Sequence, residues 1–280
     1  MNKLQERIDT TLNAVRNCNA TLANITPSSF NLASMTIRIS PGYTLQSPLD
    51  VEAFKIRLAT EPRLNITKIG TGGRKGHFQN ALDIKLLRNG AHPYVLFFYQ
   101  SMLAFNVAGC KLVEDAYLIV NVLLENLGLP TISVTDDSVC TINLIISNVD
   151  VNRGINLSAL HSAVLSSFQH AQFDVGTGCY GVKIDMYTDN NRVANERTAV
   201  MVYSSGNIVF TGTRTPESLA FAYKNIVEFL DKHYSDLTFD LIPGVKRNRQ
   251  KNPDAPPRKR GRKKKADTET FSLDDLTSLL

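Results

Sequence analysis

The sequence is poor in the residues that usually hold metals or form disulfides. It has no tryptophan and only four cysteines among 280 residues, Cys18, Cys110, Cys140 and Cys179, which are far apart and form no Cys-x-x-Cys pair. This spacing argues against a structural zinc site and a disulfide scaffold, and it is typical of a chain in a reducing compartment. The five histidines also lack the spacing of metal ligands. We therefore expect neither a metal nor another cofactor.

Sequence signals of membranes, secretion and catalysis are also missing. No apolar run approaches the roughly 18 residues that a membrane span needs. The first residues, MNKLQERIDTTL, lack the apolar segment of a signal peptide. No pattern is typical of a Ser-His-Asp triad, and GTGG at 70–73 lacks the Lys-Ser/Thr that a phosphate-binding loop requires. The sequence predicts a protein that is not an enzyme, is not secreted and does not bind membranes.

Positive charge is concentrated in one segment near the end of the chain. Residues 245–265 contain eleven lysines and arginines and one aspartate, whereas the last fifteen residues carry four acidic residues. Subtracting these local charges of +10 and −4 from the total of +5 leaves −1 for residues 1–244. If the folded part binds nucleic acid, it therefore needs a polarised surface or apolar contacts.

The chain contains an internal duplication. The segment FFYQSMLAF (97–105) aligns without a gap with VYSSGNIVF (202–210). Upstream, LDI in ALDIKLL aligns with IDM in GVKIDMYT, and further matches occur in the same order in both halves. Because the order is kept and the gaps differ by only a few residues, we infer two repeats, at 29–130 and 139–244.

Each repeat has the pattern of a strand, a helix, several strands and a long helix. Strands outnumber helices and short turns join them, which predicts an α+β fold with a mainly antiparallel sheet and helices on one face. The last helix begins at Thr-Pro-Glu and carries an apolar stripe. The stripe comprises Leu219, Tyr223, Ile226, Val227 and Leu230. Residues 1–28 form an N-terminal extension, in which the amphipathic segment 3–16 predicts an additional helix docked on the domain.

The hairpin of the second repeat, AVMVYSSGNIVFTG (199–212), is apolar on both faces. Alternation places Val200 and Val202 on one face and Met201 and Tyr203 on the other. Only one of these faces can pack on the core of the domain. The other is therefore available to a ligand or partner.

This hairpin resembles that of the TATA-box-binding protein family, whose repeats carry an aliphatic and an aromatic residue, a Ser-Gly turn and a Val-x-Thr-Gly sequence. The resemblance extends over about residues 29–235 and is closest in TAVMVYSSGNIVFTG. It implies a divergent member, viral or from an early-branching lineage, with a duplicated, pseudo-two-fold saddle fold. In that fold a curved antiparallel sheet of ten strands lies on the minor groove of DNA, and helices cover the convex face.

The resemblance also implies a function. The protein would be a general transcription initiation factor that binds and bends AT-rich promoter DNA, the TATA box, through the minor groove. It would act in the nucleus or at an intracellular viral replication site. Its partners would be double-stranded AT-rich DNA and initiation proteins such as a IIB-like factor or an RNA polymerase subunit. Minor-groove proteins of this kind insert apolar side chains between base steps and kink the duplex.

The same resemblance implies roles for individual residues. Two aromatic pairs would insert between base steps, Phe98 with Phe78 and Tyr203 with Tyr180, and Cys179 is an alternative match for Tyr180. The alternative is that these aromatics only cap the edge of the core. The residues expected to contact the minor groove are Asn31, Ala33, Asn143, Ile145, Ala104, Asn106, Val209 and Thr211. Arg197, which precedes the last hairpin, is expected to contact a phosphate.

The end of the chain has two parts. Residues 245–270 form a basic tail with almost no apolar residues, which predicts disorder. Its basic cluster comprises Arg258, Lys259, Arg260, Arg262, Lys263, Lys264 and Lys265, and it resembles a nuclear localisation signal or, more weakly, an AT-hook-like arm. The alternative is a solubilising charge run.

The last ten residues, FSLDDLTSLL (271–280), form an acidic and apolar motif. Its apolar residues are Phe271, Leu273, Leu276, Leu279 and Leu280. Helical spacing predicts that it docks as a helix in the groove of a partner. The alternative is that it packs back on its own domain.

Two other function classes remain open from the sequence. A DNA sliding clamp would encircle the duplex with basic helices, which the near-neutral body does not favour. A saddle-fold scaffold for protein interactions in transcription, with weak or no DNA binding, agrees with the charge of −1 for residues 1–244.

Overall fold

The computed structural model describes residues 2–71, 81–88, 92–168, 171–173, 181–188 and 197–241. Phe78, Cys179 and Tyr180, the basic cluster of the tail and the C-terminal motif lie outside these described residues.

The helices are α1 (Lys3–Asn19), α2 (Val51–Ala59), α3 (Val113–Asn126), α4 (Leu157–Ser167), α5 (Pro216–Lys232) and α6 (Tyr234–Leu237). The strands are β1 (Asn31–Ile39), β2 (Ile66–Thr71), β3 (Ala81–Leu86), β4 (Tyr94–Phe98), β5 (Ala104–Cys110), β6 (Cys140–Asp150), β7 (Gly154–Ile155), β8 (Ala171–Gln172), β9 (Gly181–Tyr187), β10 (Arg197–Tyr203), β11 (Asn207–Thr213) and β12 (Thr238–Phe239).

Ten strands form one antiparallel sheet in the order β2-β3-β4-β5-β1-β6-β11-β10-β9-β8. The first strands of the two repeats, β1 and β6, pair at its centre. Each repeat contributes five strands in the corresponding order on its own side of this pair. The remaining two strands, β7 and β12, form a small separate sheet. The prediction of an α+β fold with a duplicated antiparallel sheet is confirmed.

The helices α1, α2, α4 and α5 begin at side chains that accept hydrogen bonds from free backbone N–H groups. Asp50 accepts from the N–H of Ala53 at 3.0 Å at the start of α2. Asn156 accepts from Ala159 at 3.2 Å at the corresponding position of α4. Thr215 caps α5, with Pro216 in its first turn. The predicted stripe of α5 is buried throughout.

The core lies between the helices and one face of the sheet. In the first repeat, the Phe97 ring of β4 stacks on Phe105 of β5 with centroids 4.7 Å apart. Phe54 of α2 packs on Phe97 from the helical side, at 5.8 Å. In the second repeat, Phe210 of β11 contacts Tyr223 of α5 at 5.7 Å. Aromatic contacts between strand and helix thus fix both halves of the sheet beneath their helices.

The N-terminal extension docks on the helical side, as expected from its amphipathic pattern. On the first repeat, the Gln5 side chain accepts a hydrogen bond from the N–H of Val113 at 3.0 Å. On the second repeat, Arg7 donates two hydrogen bonds of 2.9 Å to the Glu217 carboxylate. Asn2 donates to the carbonyl of Val134 in the segment that joins the repeats, at 2.6 Å. The extension therefore contacts both repeats.

Candidate nucleic-acid interface

The face of the sheet that carries no helices is called the open face here. Along β10, Val200 and Val202 are fully buried beneath the helices, whereas Met201 and Tyr203 point the other way and are partly exposed. Register assigns the same side to the neighbouring strands. The open face includes Thr36, Arg38, Asp83, Lys85, Tyr94, Leu96, Phe98, Asn106, Ile146, Asn148, Lys183, Asp185, Arg197, Met201, Tyr203, Val209 and Thr211.

The two hairpin aromatics occupy equivalent places on this face. Phe98 ends β4 opposite Ala81, and Tyr203 ends β10 opposite Gly181. Both side chains are partly exposed. A Cβ added to Gly181 would lie 2.7 Å from the carbonyl oxygen of Val202 and 3.2 Å from the Tyr203 ring, so only glycine fits beside both the neighbouring backbone and the ring. Each half of the open face therefore presents one aromatic at the turn of its hairpin.

The register corrects the internal alignment of β3 with β9. The sequence match paired Leu82 with Ile184, but the residues opposite Phe98 and Tyr203 make Leu82 equivalent to Val182. A shift of two residues leaves the strand alternation unchanged, so the hydrophobic pattern could not detect it. Counting back along the sequence then matches Phe78 with Gly178 instead of Tyr180. The roles of Phe78 and Tyr180, which lie outside the described residues, stay predictions.

Side-chain amides cluster near the central strand pair. Asn31 donates a hydrogen bond to the side-chain carbonyl of Asn148 at 2.9 Å. Asn143 donates to that of Asn106 at 3.4 Å. Asn31 and Asn143 are exposed. Each amide nitrogen has two protons, so each of these two donors keeps one proton for a ligand. Asn31, Asn106 and Asn143 were expected at the interface from the sequence, whereas Asn148 was not, because only the register of β1 with β6 brings it beside Asn31.

Ile145, which was expected on the interface, lies on the opposite side of the sheet. Its side chain is 1 % exposed and is paired with the buried Met35 beneath the helices. The register of β1 with β6 shifts twice, once between Leu32 and Ser34 and once between Thr36 and Ile37. The second shift leaves Asn143 out of the ladder, so simple alternation from Asn143 predicts the wrong face for Ile145. Ile146, opposite Ser34, takes the place on the open face instead.

The other residues expected to contact the minor groove differ in how exposed they are. Val209 is partly exposed opposite Met201, and Thr211 is partly exposed opposite Ala199. Ala33 is partly exposed within the first register shift of β1. Ala104 has the register of the open face, opposite Phe98, but it is only 3 % exposed. Ala104 therefore supports the surface without itself being accessible to a ligand.

Arg197, the expected phosphate contact, lies on the open face within an ion pair. Its Nε atom is 3.4 Å from Oδ1 of Asp185, and Lys183 Nζ is 3.5 Å from Oδ2 of the same residue. Arg38, on the central strand β1 opposite Asn106, is a further cation of this face that the sequence analysis missed. Its position in an alternating strand was the signal that could have identified it.

The helical side carries a groove of about 920 Å³ along α3. Leu118, Val122 and Val134 supply apolar lining, and Arg63 and Arg88 lie at its edge. Both arginines are paired with carboxylates, Arg63 with Glu125 at 2.5 Å and Arg88 with Asp115 at 3.0 Å. The groove is therefore apolar with compensated charges, which suits a protein segment better than a polyanion.

The described ranges contain no group of three or more His, Cys, Asp or Glu residues that could hold a metal ion. Burial raises the pKa of Cys140 to about 11, so this thiol is not poised as a nucleophile. In the same ranges, no helix is both long and apolar enough to cross a membrane.

Comparisons with known proteins bear on the second repeat above all. Residues 140–233 match the family model "Transcription factor TFIID (or TATA-binding protein, TBP)". No curated protein sequence matches the chain. Among solved structures, Methanococcus jannaschii TBP is similar at 15% identity, with 73% of this chain and 99% of that chain covered and a TM-score of 0.47. A proposed adenylate cyclase of Bacillus halodurans gives 13% identity, coverage of 77% and 96%, and a TM-score of 0.12.

Proposed function

We propose that this chain, whose residues 140–233 match the model of the TATA-binding protein family, is a transcription initiation factor that binds AT-rich double-stranded DNA. The open face of the sheet would lie on the minor groove and bend the duplex. One observation carries the proposal: both halves present an aromatic side chain at the same place on a partly apolar face without helices. A domain that only had to fold would gain nothing from this second apolar face, because water disfavours it.

The aromatics supply the bending. Phe98 and Tyr203 stand at the hairpin turns, toward opposite ends of the ten-stranded sheet. Insertion of such side chains between base steps unstacks the duplex at a cost of a few kcal/mol per step, which the wider contact offsets. Phe78 and Tyr180 are their proposed partners. TA steps, which kink easily, are the expected sites of insertion.

The central amides supply the preference for A·T pairs. The protons that Asn31 and Asn143 keep free suit the acceptors that A·T pairs present in the minor groove. Val209, on the same face, has a side chain without a hydrogen-bond acceptor for the exocyclic amine of guanine. A G·C pair would therefore bury this donor against apolar surface.

The proposal is tested by DNA bending. Fluorescence energy transfer across an end-labelled AT-rich duplex should show a sharp bend on binding, and Phe98→Ala and Tyr203→Ala should each reduce the bend and the affinity. Phe221→Ala is a matched control, because Phe221 is a 41 % exposed aromatic on α5, on the helical side. A straight duplex in the complex would contradict the proposal. If both variants bend DNA as much as the parent does, the two aromatics have only a structural role.

The parts of the chain that follow the fold are proposed to assist. The basic tail would contact phosphates and direct the protein to the nucleus or a viral replication site. Deleting residues 246–265 should then flatten the dependence of affinity on salt, because counterion release scales with the number of phosphates neutralised. An unchanged slope would exclude the tail from DNA binding.

The C-terminal motif is proposed to dock on another initiation protein, such as a IIB-like factor or a polymerase subunit. Recovery of these proteins should fall when residues 270–280 are deleted. Equal recovery with both chains would favour packing of the motif on its own domain.

The second candidate function is a protein-interaction scaffold with weak DNA binding. The apolar groove along α3 and the charge of −1 for residues 1–244 favour it. It predicts no preference between AT-rich and GC-rich duplexes at any salt concentration, whereas the first proposal predicts a clear one.

A further inference from the structure

The outer strands of the two repeats carry the same pair of charges in exchanged order. On β3, Asp83 and Lys85 lie two residues apart on the open face, and on β9 Lys183 and Asp185 do so. The register makes Asp83 equivalent to Lys183 and Lys85 equivalent to Asp185. Each end of the open face therefore carries a carboxylate within reach of its own cations.

In the second repeat the carboxylate contacts two cations. Asp185 lies 3.4 Å from the Nε atom of Arg197 and 3.5 Å from the Nζ atom of Lys183. Its side chain is only 18% exposed, against 40% for Arg197. Its Oδ1 atom is buried and accepts no hydrogen bond of good geometry from the part of the chain that the structure describes. Asp185 is thus poorly solvated and is balanced mainly by the charge of its neighbours.

In the first repeat the arrangement is similar. Asp83 is partly buried, with Lys85 on its own strand and Lys68 on β2 as the nearby cations. Burial raises the pKa of Asp83, and these two lysines and a hydrogen bond from Tyr94 oppose that rise. Its Oδ1 atom likewise is buried and has no donor among the residues described. At each end of the face, one carboxylate therefore offsets part of the charge of two cations in the free protein.

Resting on the proposed function, we infer that Asp83 and Asp185 are affinity-limiting residues of the DNA interface. Asp185 holds Lys183 and Arg197 in ion pairs, Asp83 offsets the charge of the nearby Lys68 and Lys85, and both carboxylates repel the phosphates that these cations would otherwise neutralise. A carboxylate facing a polyanion within the Debye length of about 8 to 10 Å weakens its binding. Because the net charge of the open face then attracts DNA only weakly, stable binding depends on the contacts of the aromatic side chains with base steps.

One alternative role follows from the same geometry. The exocyclic amine of guanine is the only hydrogen-bond donor that a base pair presents in the minor groove. If the Asp83 or Asp185 side chain rotates so that its buried oxygen becomes exposed, this oxygen accepts a hydrogen bond from the amine, and the two residues would then favour G·C pairs at the ends of the site. The two roles predict opposite effects of removing the charge.

The test compares the full chain with Asp83→Asn, Asp185→Asn and the double variant. Asparagine keeps the shape of the side chain and removes its charge. Affinity is measured on an AT-rich duplex and on the same duplex with G·C pairs at both ends, over a series of salt concentrations. Glu52→Gln is the matched control, because Glu52 is paired with Lys55 at 2.7 Å on α2 and its loss changes the net charge equally on the helical side.

We expect each single variant to bind the AT-rich duplex about fivefold more tightly at low salt. The salt slope of the double variant should steepen by about 0.9 for each additional phosphate that the protein neutralises. Glu52→Gln should match the parent. Unchanged or weaker binding by the variants would overturn the inference, and weaker binding confined to the G·C-ended duplex would establish the guanine contact instead.

A readout without DNA separates this inference from the proposed function. Burial and the charge of Asp83 raise the pKa of Tyr94 in the free protein, so Asp83→Asn should lower it in a titration of labelled tyrosine followed by NMR. An unchanged Tyr94 pKa would show that Asp83 does not govern its neighbours. If neither the parent nor the double variant binds DNA but the Tyr94 pKa is lowered, the proposed DNA function is rejected. The influence of Asp83 on its neighbours in the free protein would still stand.

Discussion

The two repeats build the same half-sheet but close their hairpins under different constraints. In the second repeat, Gly206 has a φ of 91°, and a Cβ there would clash with the backbone carbonyl of Arg153. In the first repeat the aligned residue is Ser101, and Asn152 is the one non-glycine residue with a positive φ in the described chain. The strand that leads to Arg153, β6, has 11 residues, against 9 in β1. The glycine of this hairpin is therefore required by the backbone of Arg153, whereas in the first repeat the chain that follows β1 meets the hairpin at Met102, in a bridge with Thr44.

The largest expected effect tests this difference directly. Gly206→Ala should destabilise the protein by about 3 kcal/mol, because the side chain meets both an unfavourable φ and a backbone atom that cannot move aside. Ser101→Ala, at the aligned position, should change stability by less than about 0.5 kcal/mol. Urea unfolding followed by circular dichroism measures both. Equal effects at the two sites would show that the turns are under the same constraint.

The next largest effect on stability is expected from a substitution in the N-terminal extension. Ile8 of α1 is 3% exposed, and its truncation to alanine should cost about 2 to 3 kcal/mol of the free energy of unfolding. Because α1 packs along α5, hydrogen exchange should rise more in α5 than in α3. Ile56→Ala, at a 48% exposed isoleucine of α2, is the control and should be near neutral. Equal increases in exchange in α3 and α5 would contradict the unequal support of the two repeats.

The aromatics of the open face differ by one hydroxyl group. Tyr203→Phe should raise affinity for AT-rich DNA about fivefold and increase the bend, since insertion no longer buries a hydroxyl without a partner. Phe98→Tyr should do the reverse in the first repeat. Gel mobility and energy transfer measure affinity and bend. No response to either exchange would indicate that neither ring enters the base stack.

The smallest expected effect is on the stability of the fold at acidic pH. Burial alone would raise the pKa of Asp231, but the N–H groups of Ala23, Asn24 and Ile25 donate to its carboxylate and lower the pKa overall. A depressed pKa in the folded state means that this carboxylate stabilises the fold above its unfolded pKa of about 4, and that the stabilisation is lost as the pH falls through the folded value.

Asp231→Asn should therefore remove part of the pH dependence below about 4 and cost well under 1 kcal/mol at neutral pH, because the site is exposed. Exchange of the amides of residues 23–25 against pH measures the effect. The control is Asp236→Asn, at an exposed aspartate of α6. The prediction would be contradicted if, in the parent protein, the exchange of the amides of residues 23–25 did not depend on pH after correction for intrinsic rates.

Much of the site could be predicted because the hairpins align without a gap and alternate strictly. Phe98, Tyr203, Val209 and Thr211 lie on the face that alternation assigned to them. Ile145 was misplaced because a register shift beside Asn143 interrupts that alternation, and nothing in the residues themselves marks the shift. Asp185 was overlooked because its meaning depends on Arg197, twelve residues away along the chain and opposite Tyr187 on the next strand.

The sequence by itself determined the duplication, the alternation of the hairpins and the apolar stripes of the helices, because these follow from side-chain periodicity along one segment. Only the tertiary structure decided which strands are neighbours, where the register of β1 with β6 shifts, and which cations of the open face are already paired with carboxylates. Register and ion pairing join residues from separate segments, so they depend on distances across the sheet that periodicity along the chain does not encode.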